Sequence, residues 1–427
     1  MLDLAWIREH PEEVRRGAAR KGIDFDVDAL LALDEERRQL IRLQEQAKAE
    51  QNALGKQVAT LQGDSKQVAL DRLKVLKGSV KEHTARLTPL KKKIQELMFA
   101  CPNPPAEEVP DGPDDSANVE LRTWGEKPTF DFEPKDHVEL MKGLDWLEID
   151  RAGKLAGSRS YVLKGDGVML EQAILRLAMD LIVERGFTML SVPVIVKEWA
   201  LRGTAYFPGA EEQTYRIANP TAEDEDFWLV GTSEVSVTAL HSGEILDEAD
   251  LPLKYSGISP CFRREAGTYG KDTRGVYRVH QFNKVEQVIV DVADDAKSRE
   301  HHQAILQNAE DMLQRLGLPY RVVAVSTGDM GRGARCKYDL EAWMPGREEY
   351  GETHSATRFR SYQARRLDLR YRDGDGKVQH CHTLNNTVIA SPRVMVAFVE
   401  MHQQADGSIR VPEALRPYLG GREVLGA

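Results

Sequence analysis

The chain has 427 residues, 41% hydrophobic and 30% charged, a balance that allows two or three cored domains and excludes a disordered or fibrous polymer. A formal charge of -10 excludes a protein that coats nucleic acid over its whole surface, though it leaves room for a local basic element. Cys101, Cys261, Cys336 and Cys381 form no CxxC pair, which excludes a disulfide framework and a thiolate zinc site, and no apolar run nears ~18 residues, so the expected location is a reducing cytoplasm, away from membranes.

Met1 to about Asp26 reads as a short helix closed by Gly22. The positions Leu30, Leu33, Arg37, Leu40, Gln44, Ala47, Gln51, Leu54, Val58 and Leu61 then step by alternating threes and fours, a heptad seam. After Gly63-Asp64 the same steps recur at Leu73, Leu76, Val80, His83, Leu87, Leu90, Ile94 and Leu97. Two helices of roughly 35 and 30 residues are therefore expected to fold back as an antiparallel pair, with Pro89 kinking or weakening the second. From Asp34 to Leu97 there are fourteen Lys or Arg and nine Asp or Glu, a net of +5, which leaves -15 for the rest. That reversal suits either a solvated face or a nucleic-acid contact.

Cys101 to Pro134 concentrates Pro, Gly and acid and reads as a linker without elements, so the expected domains are 1–100, a linker 101–134, and 135–427. Asp136–Leu144 and Leu170–Arg185 have helical spacing, the second stopped by Gly186. The following TMLSVPVIV reads as one strand, kept at a sheet edge because Pro193 lacks an N–H. Thr232, Ser233 and Glu234 sit where a strand meets a helix, a pattern equally suited to a helix cap.

Pro260 to Val290 reads as two extended segments joined by a loop rich in glycine and charge. Strict alternation sends Arg278, His280, Phe282, Lys284 and Glu286 to one face, with Arg263 and Glu265 beside them. Cations, carboxylates and a flat ring on one surface suit a nucleotide, although solvated sheet faces also alternate charge. A helix ending at Gly317 follows, then strands through YRVVAV, ARCKYDLEAW and GETHSATRF, where Glu352 and Ser355 supply the hard oxygens Mg²⁺ prefers. In the last strand, TLNNTVIA, the chain turns at Ser391-Pro392 into an apolar helix whose first turn holds Arg393, placed to face phosphate. His380-Cys381-His382 would point to alternate faces and is not read as a metal site.

The run Phe262-Arg263-Arg264-Glu265 with Arg278-Val279-His280-Gln281-Phe282 resembles motif 2 of the class II aminoacyl-tRNA synthetases, specifically the seryl-tRNA synthetases of bacterial type. Glu171 to Val196 resembles motif 1, Gln363-Ala364-Arg365-Arg366 a family segment, and TLNNT with Pro392-Arg393 motif 3. Ser233 stands where the family has Ala, His354 where many relatives have Ser, and Asn386 and Thr387 replace glycines of the broader class. The resemblance implies an α+β fold, an antiparallel sheet flanked by helices with an N-terminal antiparallel two-helix coiled-coil arm that grips tRNA, assembled as a homodimer. It implies ATP-dependent attachment of L-serine to tRNA(Ser) through a seryl-adenylate, and to tRNA(Sec) where that exists. Arg263 and Arg393 would be catalytic; Thr232, Ser233, Glu234, Glu286 and Thr387 would bind serine. ATP would be held by Arg263, Arg264, Glu265, Arg278, Val279, Phe282, Glu352, Thr353, His354, Ser355 and Arg393, and Mg²⁺ by Glu352 and Ser355. Neither GxGxxG after a strand nor GxxxxGK[ST] competes.

Overall fold

The computed structural model describes residues 1–218, 226–267 and 274–426. The tip of the expected long hairpin, 268–273, lies outside the described residues. The chain divides into two compact units, one of Leu2–Ala19 and Ile23–Pro102, the other of Met1, Arg20–Gly22 and Asn103–Ala427.

The first unit begins with two helices where the sequence suggested one. Helix α1 spans Leu4–Glu9, capped by Asp3, whose carboxylate accepts from Ala5 N at 2.7 Å; helix α2 starts anew at Pro11 and runs to Arg20. Proline lacks the N–H that continuation would need, yet suits a first helical position. Helices α3 (Val27–Val58, 32 residues) and α4 (Gly63–Ala100, 38 residues) then pair. Leu30, Leu40, Ala47, Leu76, Leu87, Leu90 and Ile94 are buried along the seam, and the polar seam residue Gln44 donates to Thr84 Oγ1 at 2.7 Å. Helix α4 runs unbroken through Pro89, the apolar contacts of Leu87, Leu90 and Ile94 holding the turn where proline removes a hydrogen bond.

The second unit is built on an eight-stranded sheet. Its edge strand β1 (Val119–Trp124) lies inside the stretch expected to be a bare linker; seven residues free of Gly and Pro, NVELRTW, suffice for a strand once a partner edge is available. Helices α5 (His137–Gly143) and α6 (Asp166–Glu184) follow, then β2 (Thr188–Ser191). The single strand expected through Pro193 is in fact two: β2 joins the large sheet, while Ile195–Lys197 joins a small sheet with Phe227–Leu229 and Arg216–Ile217. Further along come α7 (Glu234–Thr238), β3 (Leu253–Phe262), β4 (Gln281–Asp291), α8 (Asp295–Arg315), β5 (Tyr320–Ala324), β6 (Cys336–Met344) and β7 (Glu349–Arg360). Helix α9 (Tyr362–Leu367), β8 (His382–Ala390) and α10 (Ser391–His402) complete the frame.

The strand order is β1-β5-β6-β7-β8-β4-β3-β2, antiparallel throughout except that edge strand β2 runs parallel to β3. Helices α6, α8 and α10 cover one face through Ile174, Leu181, Ile305, Met312 and Phe398, which meet Val285, Ile289, Leu340 and Leu384 of the sheet. Each such side chain, fully buried, contributes about 1.5–3 kcal/mol. Extra residues interrupt the ladders of this sheet, Leu121 in β1, Thr353 and Phe359 in β7 and Val388 in β8; Thr353 is unpaired between Leu340–His354 and Glu341–Glu352, and Val388 between Val285–Ile389 and Glu286–Thr387. Among the described residues no helix is long and apolar enough to cross a membrane.

Candidate active site

The face of β4 turned away from α6, α8 and α10 carries the site, with α7 packed against part of it. Regular pairing of β3 with β4 ends at Phe262–Gln281; one further backbone bond, Arg263 N to His280 O at 2.9 Å, follows, and Arg264–Glu265 and Arg278–Val279 then run as loops, where the sequence had suggested continuing strands. Glu265 takes a left-handed conformation (φ 51°), which turns its carboxylate to accept from Arg278 Nη1 at 2.9 Å. The alternation holds from Phe282 onward. Val285 and Ile289 join the apolar core and Gln287 donates to Ile305 O of α8 at 2.9 Å, while Phe282, Lys284 and Glu286 face the opposite way. His280 leaves this face: its Nδ1 lies 2.9 Å from Arg263 O and its ring meets Tyr215 edge-on.

A cleft with about 90 Å³ of water-accessible volume is lined by Arg263, Glu265, Arg278, Val279 and Phe282 from the hairpin, Glu352, Thr353 and Ser355 from β7, and Arg393 from α10. The Arg263 guanidinium lies 5.3 Å from the centre of the Phe282 ring, leaving a flat cationic and aromatic wall. Arg393 donates to Glu352 O at 2.8 Å and lies 3.2 Å from Glu352 Oε2. Desolvation opposes the charge on Glu352, but Arg393, Lys337 and Arg263 outweigh it and hold the carboxyl below its ordinary range. Beside it, burial pushes Asp339 up against the pull of Lys337, whose Nζ is 2.9 Å from Asp339 Oδ2. Asp339 Oδ1 is buried and accepts no hydrogen bond, and Ser355 is its cross-strand partner. An oxygen-rich corner with an orphaned carboxylate oxygen fits a hard divalent cation, so Glu352 and Ser355, with Asp339 behind them, suit Mg²⁺.

Deeper under the cleft is a buried polar pocket. Lys284 Nζ donates to Thr232 Oγ1 at 3.2 Å and lies 2.6 Å from Glu286 Oε2, which also accepts from Thr387 Oγ1 at 3.3 Å. Glu234 accepts from Tyr206 Oη at 2.9 Å and from Gln363 Nε2 at 2.9 Å, and Gln363 in turn accepts from Thr383 Oγ1 at 2.6 Å. Burial and the neighbouring Glu286 charge raise Glu234 to about 7, against those two hydrogen bonds. Tyr206 is pushed well above its ordinary value by burial and by Glu234. Two buried carboxylates face one ammonium, a charge balance that a small cation bearing hydrogen-bonding groups would complete.

A family model described as the tRNA synthetase class II core domain (G, H, P, S and T) matches residues 215–402, and one described as the seryl-tRNA synthetase N-terminal domain matches residues 1–105. The chain is 45% identical to the serine-tRNA ligase of Deinococcus radiodurans across 100% of its own length and 99% of the relative's. It belongs to the seryl-tRNA synthetase family. The fold agrees: the crystal structure of seryl-tRNA synthetase from Pyrococcus horikoshii complexed with ATP matches with a TM-score of 0.91 at 38% identity, covering 100% of this chain and 99% of that one. The Naegleria fowleri cytoplasmic enzyme in complex with AMP matches at 0.88 and 32%, covering 100% and 98%. Giardia lamblia prolyl-tRNA synthetase, at 0.58 and 18% over 67% of this chain and 56% of that one, shares the fold alone. As a seryl-tRNA synthetase the chain is an aminoacyl-tRNA ligase of class II.

Most residues expected from the seryl-tRNA synthetase motifs converge, and three do not. Arg264 is exposed and bonds Gln213 O through its backbone. Ser233 packs against β3, donating to Gly257 O at 3.2 Å, and a Cβ on Gly257 would come within 2.6 Å of Ser233 Oγ. His354 turns away from the cleft, its Nε2 2.8 Å from Val388 O and burial lowering it to about 4. The candidate site residues did not include Lys284, Tyr206, Gln363 and Asp339. Parity on β4 had placed Lys284 on the right face and a family segment contained Gln363; nothing local marked Tyr206 and Asp339.

Proposed function

We propose that the chain activates L-serine with ATP to a seryl-adenylate and transfers the seryl group to tRNA(Ser). The observation that carries this reading is the buried Lys284–Glu286–Thr387 cluster directly beneath a cleft walled by Arg263, Arg278 and Arg393. Phosphoryl transfer asks for alignment and for neutralisation of spreading charge, not for a nucleophilic side chain. The serine carboxylate attacks the α-phosphorus and pyrophosphate leaves; Arg263 meets the α-phosphate, Phe282 stacks on adenine, Glu265 takes the adenine amino group, and Arg278 and Arg393 hold the outer phosphates. Mg²⁺, held by Glu352 and Ser355, would neutralise phosphate charge. Glu234 and Thr232 receive the ammonium group of serine; Glu286 and Thr387 receive its hydroxyl. A ribose hydroxyl of the tRNA then attacks the acyl carbon, giving up its proton as the ester forms, and AMP leaves. We further assign residues 1–100 to tRNA binding and 135–427 to catalysis, pairing of two copies to the motif 1 segment, and a cytoplasmic setting; tRNA(Sec) would be served by the same chemistry.

Alanine lacks the hydroxyl that Glu286 and Thr387 await, so it leaves buried polar groups unpaired, while threonine must be refused by shape. Amino-acid-dependent ATP–pyrophosphate exchange tests the reading. Serine should be the one efficient substrate, and Thr387→Ala should lower kcat/KM for serine about tenfold while narrowing its lead over alanine and threonine. Exchange driven equally by another amino acid, or unchanged ratios in the variant, would show the pocket to be misassigned.

A further inference from the structure

We infer that Glu400, with His137, is the positioning hub that sets Arg393 and the nucleotide loop in register; this rests on reading the cleft as the ATP site. Glu400 is fully buried and lies seven residues after Arg393 on α10, two helical turns along the same face. Its Oε1 accepts from His137 N at 2.9 Å and faces His137 Nδ1 at 2.8 Å, and its Oε2 accepts from Gly346 N at 2.9 Å. His137 Nε2 accepts from Val276 N at 3.3 Å. That contact fixes the tautomer: Nε2 keeps its lone pair, so Nδ1 carries the hydrogen given to Glu400.

One carboxylate thus anchors two segments that converge on Tyr277. Through His137 it holds Val276, next to Tyr277; through Gly346 it holds the turn Pro345–Arg347. The Arg347 guanidinium lies 4.3 Å and that of Arg393 4.6 Å from the centre of the Tyr277 ring, and Arg393 Nε donates to Tyr277 O at 3.3 Å. The packing leaves no slack. A Cβ on Gly275 would come within 2.0 Å of His137 Nε2, and one on Gly346 within 2.9 Å of Glu400 Oε1. Arg393 is therefore aimed from three sides: its own helix, the Tyr277 ring, and a carboxylate that never meets substrate.

The test is ATP–pyrophosphate exchange by the full-length chain, with ATP and serine varied separately and thermal unfolding recorded for each variant. His137→Ala and Tyr277→Leu should each raise KM for ATP about tenfold while KM for serine stays within about twofold. Tyr277→Phe, which keeps the ring face, should recover most of the loss. An unchanged KM for ATP in folded His137→Ala and Tyr277→Leu, or an equal rise for serine, overturns the hub; if His137→Ala does not fold, Tyr277→Leu and its Phe rescue decide. Arg393→Ala is the control for the site itself: normal exchange there removes the ATP-site reading and the hub with it, whereas lost exchange there beside normal His137→Ala removes the hub alone.

Discussion

The two-helix arm keeps most of its charges at the surface beside a largely apolar seam, and the buried polar pocket of the catalytic unit keeps its charges against a sheet face. Glu50–Arg72 and Glu36–Arg86 bridge α3 and α4 with all four side chains roughly half exposed, so water and salt screen them and each is nearly independent of the others. Lys284 and Glu286 are 8% and 2% exposed, and each has the other as its compensation. Screening makes these two arm bridges tolerant of single changes; desolvation makes the pocket a unit that fails when one member goes.

The sharpest way to break this contrast is to delete one charge from each region. Lys284→Met should leave Glu286 buried without its cation, destabilising the catalytic unit by about 3–5 kcal/mol and removing measurable adenylate formation, whereas Arg72→Met should alter neither. Comparable melting shifts in the two variants would show that burial is not what separates them. Next in size is the arm as a whole. Replacing Leu40 to Ile94 with a short linker should preserve serine-dependent exchange while lowering tRNA charging at least about tenfold, because structured RNA is held by shape and backbone contacts. Full charging by the shortened chain would reduce the arm's +5 balance to solvation.

The most gradual effect is an acid sensitivity of the catalytic unit. Burial lowers His302, His354, His382 and His402 to about 4 each. Their folded values lie below the ordinary 6.5, so their stabilisation is complete above that pH and drains as pH falls toward 4, where the unfolded chain binds protons the folded chain refuses. Each histidine should cost at most about 1.4 kcal/mol per pH unit in that window. Five of the six tryptophans lie in the catalytic unit, so the fluorescence-detected midpoint reports on it. A midpoint flat from pH 6.5 to 4.5 would contradict the burial of these rings.

The same contrast explains what could be read before the fold was known. The arm was legible because a heptad is a local repeat: the expected seam positions from Leu30 to Leu97 are buried or partly buried. Phe282, Lys284 and Glu286 were legible because parity within one strand is local too. Glu234 meets Gln363 across 129 residues and Tyr206 across 28, and no periodicity encodes such meetings. Asp34, 1% exposed at a position outside the seam, is buried because Arg8, Arg37 and Arg38 close over it, a tertiary compensation invisible in the heptad. Strand β1 and the break at Pro193 escaped for a related reason: whether a short segment joins a sheet depends on which edge awaits it.

The extra residues Thr353 and Val388 have a consequence for how the site can evolve. In an unbroken strand, side chains three apart point to opposite faces, so neither Glu352 and Ser355 nor Thr387 and Ala390 could share a cleft. Each bulge shifts the alternation by one and lets both members of the pair look the same way. Losing either extra residue would give a more regular ladder and a blank face, turning Thr387 toward the helices or Glu352 away from Ser355. Straightening mutations that other sheets would welcome as improvements are therefore closed to this one, whose two central strands are constrained in count as well as in the identity of their site residues.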